Sequence, residues 1–213
     1  MHPFFKSDKI HGNVVFNFRG RAINDLNAFA IGYHAAGKLL ADSMASAPGY
    51  RDYDGYPILY LYRHSLELHL KAIVYRGAQL LGLISDEQID TRSLTRHELT
   101  RLLPAIQAIF KRMEWDWDFE VSGLRSWDDF CTLIREIERI DPQSYSFRYP
   151  VTKQGDAALP HHFIVNVISF ARNMDPVLDL LDGALTGLEE RWHSVAEVAY
   201  FLQELFMTPP SEA

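Results

Sequence analysis

Cysteine is almost missing from these 213 residues. Cys131 stands alone, which excludes an internal disulfide and leaves no paired-cysteine spacing for a zinc site. It falls on the apolar face of an expected helix and reads as a small core residue. Long hydrophobic runs are missing too: every apolar stretch is broken by a charge or a histidine well before the roughly eighteen residues that a membrane span requires. Met1 to His11 lacks the apolar core of a signal peptide, so a cytoplasmic location is expected. Positive charge is scarce, with 21 Lys and Arg against 28 Asp and Glu and a net charge of -7. Such a chain does not coat nucleic acid non-specifically, because phosphates have to be met by clustered cations; any nucleic-acid role must rest on a local basic patch. The G-x-S-x-G elbow, the Walker loop and the Gly-rich dinucleotide turn are absent as well, which sets aside conventional hydrolase and Rossmann chemistry.

Histidine is plentiful, at nine residues, but its spacing does not suit a metal. His64 and His69 are five apart, about 140 degrees round a helix, and cannot clamp one ion. The pair His161 and His162 follows Pro160 at the start of an expected helix, where capping or a surface position is usual. No metal site and no cofactor are expected.

The patterning that is present is helical. Ile23, Leu26, Phe29, Ala30, Tyr33, Ala36, Gly37 and Leu40 recur at three- and four-residue steps, predicting an amphipathic helix from Ala22 to about Met44 with a small-residue seam at Gly32, Ala35, Ala36 and Gly37. A turn-rich connection, Ala45 to Gly55, leads to a second helix from Tyr56 to near Gly77 or Gly82, with Pro57 suited to its first turn. Thr95 and Glu98 have capping-box spacing, predicting a helix from about Arg96 to Met113. The alternation of Trp115, Trp117 and Phe119 with acids predicts a loop pinned to the core by its aromatics. Further helices are expected over Ser126 to Ile140 and Phe163 to Ala171. Asp175-Pro176 should kink or interrupt the latter, with helix resuming to about Gly183 and again over Leu188 to Phe206. The chain thus reads as all-α, an up-and-down bundle of five to seven helices with little or no sheet. Its expected organisation is an N-terminal extension (1–21), a helical domain (22–183), and a C-terminal helix packed on the bundle with a frayed tail (184–213).

The second helix is the organising element. It is apolar round most of its circumference, the pattern of a buried helix, yet Arg63, Glu67 and Lys71 interrupt it at four-residue steps. These drift only about 40 degrees per step and form one stripe, with Tyr60 and His64 beside it. Two readings fit the stripe: a row of charges that neutralise one another and fix helix register, or a ligand site.

The run Leu61 to Ala72 with its Glu67 and Lys71-Ala72, then His97-Glu98-Leu99, then Arg148-Tyr149-Pro150, resembles in type and order the HEPN superfamily of small α-helical domains. The resemblance covers roughly Ala22 to Leu181. It implies a helical bundle that is usually dimeric, and either a metal-independent endoribonuclease of toxin or antiphage type or an inactive nucleotide- or RNA-binding module. The family's active branch carries Arg, four to six residues, then His near the start of a late core helix. Arg63 to His69 and Arg92 to His97 have that spacing at other places in the chain, and the helix after Arg148 has Arg172 without the histidine.

The expected sites follow from the stripe and the resemblance. Catalysis would fall to Arg63 with His64 or His69, a histidine taking the 2′-hydroxyl proton and the arginine stabilising the phosphorane. Arg63 and His69 nonetheless stand about 120 degrees apart on a helix. Ligand binding would fall to Arg63, Glu67, Lys71, His97, Arg148 and Tyr149. The leading expectation is a domain that binds RNA or a nucleotide phosphate and forms a homodimer; the alternatives are the endoribonuclease and a non-catalytic scaffold for a partner protein of antitoxin type.

Overall fold

The computed structural model describes residues 14–15, 22–46, 49, 52–82, 95–117 and 120–207, with side chains to residue 198. The expectations for the N-terminal extension, for Arg92 and for the tail after 207 fall largely or wholly outside these residues. Among the described residues there are five α-helices: α1 (Leu26–Ser46), α2 (Gly55–Leu80), α3 (Leu103–Arg112), α4 (Trp127–Ile140) and α5 (Val167–Met207). The protein is all-α. Among the described residues there is no sheet, only the isolated bridges Val121 to Leu124 and Val151 to Ala157. No described helix is long and apolar enough to cross a membrane.

Helix α2 lies at the centre, packed against α1, α5 and α3. Its burial runs unbroken from Ser65 to Ile73, so it is covered on every side, the charged stripe included. Leu66, Leu70 and Ile73 join Leu99, Ile106, Phe130, Ile134, Leu178 and Leu181 in one core, and each such side chain contributes about 1.5–3 kcal/mol by leaving water. Cys131 is free and buried there. The expected small-residue seam of α1 divides. Gly37 faces α2, where a Cβ would lie 3.1 Å from the Tyr62 ring, whereas nothing lies within 4 Å of a Cβ at Gly32.

Two helix boundaries differ from the sequence pattern. The expected capping box at Thr95 does not start a helix; α3 begins at Leu103, with Pro104 in its first turn. A helix running from Arg96 would have placed Pro104 in its interior, without a donor for the preceding turn. Glu98 pairs instead with Arg101 at 2.9 Å, and the Thr100 N–H donates to Glu138 Oε2 at 2.7 Å, tying this entrance to α4. At the other end, α5 continues through Pro176 and Gly183 as one helix of 41 residues. Met174, Val177, Leu178, Leu181, Leu185 and Leu188 carry one buried stripe past both interruptions, and this burial outweighs a proline cost of about 3 kcal/mol. The N-terminal end is later than expected: Asn166 caps it by accepting from Ser169 N at 2.9 Å, leaving Phe163 to Val165 outside the helix.

Candidate functional site

The charged stripe of α2 is sealed. Arg63 and Glu67 are each 1% exposed, and Lys71 is buried beside them. Arg63 Nη1 donates to Glu67 Oε2 at 2.9 Å, Lys71 Nζ donates to Glu67 Oε1, and His97 Nδ1 meets that same oxygen at 2.9 Å. Burial works against ionisation of Glu67, but Lys71, Arg63 and His97 outweigh it and hold the carboxyl below its ordinary value. Arg63 Nη2 also donates to the carbonyls of His97, at 2.8 Å, and Asp141, at 3.4 Å. One guanidinium therefore fastens the approach to α3 and the end of α4 onto α2. Arg63, Glu67 and Lys71 are held by one another and by backbone, so the register-fixing arrangement describes them, and no solvent-facing phosphate site includes them.

His69 lies apart from the stripe, as its helical position requires. Its Nδ1 is 3.0 Å from the Ser65 carbonyl, while Ser65 Oγ donates to the Ala30 carbonyl at 2.8 Å. The ring proton is thus on Nδ1, and Nε2 is buried without a hydrogen-bond partner among the described residues. Burial lowers the His69 pKa to about 4, so the ring is neutral at pH 7. A sealed, neutral imidazole does not reach an external hydroxyl. His64 stacks on Tyr60, with ring centroids 5.5 Å apart, and meets Tyr33 edge-on. Burial lowers its pKa too, against the pull of Glu67. The three proposed catalytic residues therefore do not form a constellation around a common point.

The exposed part of the site lies on the next surface turn. His97 spends its Nδ1 on Glu67, keeps Nε2 as its other polar atom, and has a side chain 40% exposed. Arg148 is exposed. Its guanidinium carbon stands 5.4 Å from the Tyr60 ring centre and 5.8 Å from that of Tyr149, and its Nε donates to the Ser144 carbonyl at 2.6 Å. The loop beneath it is organised by Asp141, whose Oδ1 accepts from the N–H groups of Tyr145 and Ser146 at 2.6 and 2.9 Å. Ser144 adopts a left-handed backbone, φ 55°, and Tyr145 stacks on Tyr149 at 4.5 Å. Arg148 makes no ion pair among the described residues, with Glu67 or with any other carboxylate. A pocket of about 520 Å³ opens beside it, with Tyr56, Phe147 and Pro160 in its walls.

Sequence patterning placed Tyr60 and His64 beside the stripe but missed two contributors. Asp141 carries a signal that helical periodicity does not read: Asp-Pro ahead of Ser144-Tyr145-Ser146 marks a turn. Asp175 looked only like a helix breaker. It accepts from Tyr62 Oη at 2.6 Å, contacts His34 Nε2 at 2.9 Å and faces Lys38 at 3.6 Å, joining α5 to α2 and α1. Among the described residues no group of three His, Cys, Asp or Glu is placed to hold a metal ion.

No family model matches the chain, and neither a curated protein nor a solved structure matches it. The fold and the site define an all-α protein with a sealed ionic network in its central helix and one arginine displayed on a tyrosine surface beside it.

Proposed function

We propose that this chain is a HEPN-like, non-catalytic domain that binds a nucleotide or a short single-stranded RNA through Tyr60, His97, Arg148 and Tyr149. The observation that carries this reading is Arg148, an exposed guanidinium held over two tyrosine rings with no carboxylate paired to it among the described residues. Such a group meets a phosphate with two parallel hydrogen bonds, and neighbouring tyrosines stack bases without demanding a sequence. The chain's net charge of -7 favours a single small site over a long track of backbone contacts. The endoribonuclease alternative receives less support, since Arg63 and His69 are sealed on different sides of α2.

Pairing with a second copy or with a partner protein is favoured by one further observation. The outer face of α1 exposes Leu39 on the side of the open Gly32, with Phe29 and Leu40 together along one edge, an apolar surface that another helix can meet.

The test is binding of a labelled short single-stranded RNA and of a nucleoside triphosphate, in EDTA, by anisotropy and competition. Arg148→Ala should weaken binding about tenfold, the loss of one charge-assisted contact. Equal binding by wild type and Arg148→Ala, or no binding by either, overturns the reading.

A further inference from the structure

A second, larger cavity of about 1170 Å³ lies between α3, the loop that follows it and α5, and shares no lining residue with the pocket at Arg148. Phe110, Trp115, Trp117 and Trp127 supply its aromatic wall. These rings are fixed by one another: Phe110 and Trp115 meet edge-on at 5.6 Å, and Trp117 and Trp127 at 6.3 Å. Trp115 also lies against Gly187 of α5, where a Cβ would stand 3.1 Å from its ring. The charged lining is one-sided, with Glu114, Asp116 and Asp179 against Lys111. Neither Glu114 nor Asp116 makes an ion pair among the described residues.

The position of Glu114 is conformationally costly. Helix α3 ends in a Schellman motif: Trp115 N donates to the Phe110 carbonyl at 3.0 Å and Glu114 N to that of Lys111 at 3.2 Å, with the Phe110 and Trp115 rings in the accompanying apolar contact. Glu114 occupies the left-handed position, φ 59°, where glycine is favoured. A carboxylate therefore stands at the cavity mouth in a conformation that any side chain resists.

We propose that this cavity binds a linear aliphatic amine carrying two or more ammonium groups. Carboxylates on the loop after α3 and on α5 meet the ammonium groups, tryptophan faces attract the same charges, and the apolar wall takes up the methylene segments between them. An anion would face three carboxylates. A ligand with one positive charge would leave the excess acidity of the lining uncompensated, which sets the charge at two or more.

Three of the four tryptophans line the cavity, so their emission reports occupancy. Titration of the full chain with spermidine should give a saturable emission change. Glu114→Gly and Asp116→Asn should each weaken the apparent Kd by about tenfold, roughly one lost ionic contact. Glu114→Gly should melt no lower than wild type, which separates lost binding from lost folding. The proposal is overturned if magnesium at equal ionic strength reproduces the response, if a neutral aliphatic diol of matching length binds as well, if both charge variants bind as wild type, or if spermidine gives no saturable change.

Discussion

The Arg148 guanidinium rests 5.4 Å from the centre of the Tyr60 ring, one turn of α2 before the buried Arg63. Two arginines thus meet the same helix with opposite roles, one displayed and one sealed. Arg148→Ala should change unfolding free energy by no more than about 0.5 kcal/mol, as for an exposed side chain outside the core. Its RNA affinity should fall about tenfold, and the dependence of log affinity on log salt should become shallower by about one phosphate contact. Chemical denaturation beside a salt series of binding curves measures both.

Glu67 is the common acceptor for Arg63, Lys71 and His97. Glu67→Gln keeps the shape and removes the charge, leaving cations buried beside a neutral amide. The expected loss is about 3–5 kcal/mol, the cost of breaking a buried ionic network from one side. Urea unfolding at neutral pH gives the number; a change below about 1 kcal/mol would deny the network its structural role.

His69 sets a pH dependence. Its folded pKa is about 4 against an ordinary 6.5, so between those values the unfolded chain takes up a proton that the folded chain refuses. Stability is therefore full above pH 6.5 and declines as pH falls toward 4, by up to about 3 kcal/mol. Glu67, held below its ordinary value of 4.5, acts lower: its contribution is present above pH 4.5 and lost as pH falls through the folded value. His64, which burial also holds low, adds to the decline below pH 6.5, so His69→Leu should make that decline shallower without abolishing it and should leave the more acidic limb. Melting temperature against pH for the two proteins decides it.

Gly77 and Gly32 sit in helices with opposite surroundings. A Cβ at Gly77 would stand 2.7 Å from Ile109 Cγ1, inside the α2 and α3 contact, whereas one at Gly32 meets nothing within 4 Å. Gly77→Ala should destabilise by about 1–3 kcal/mol through overpacking. Gly32→Ala should stabilise by about 0.4–1 kcal/mol by restricting the unfolded chain. Equilibrium unfolding of both variants separates packing from propensity.

The sequence by itself determined that the protein is helical, that α2 is its centre, and that Arg63, Glu67 and Lys71 share one face of it. These follow from local periodicity, since 3.6 residues per turn fixes which side chains align. It also separated His69 from Arg63, because that angle belongs to the helix alone. Only the tertiary structure decided that the stripe is sealed, since burial depends on what the approaches to α3 and α4 bring to cover it. Tertiary packing also carried α5 through Pro176, where a long buried stripe outweighs a local break. It likewise set Arg148 over Tyr60, where the Asp141 turn and the Ser144 carbonyl hold that side chain. Which arginine is architecture and which is available to a ligand is a question of distance across the chain, and periodicity holds no information on it.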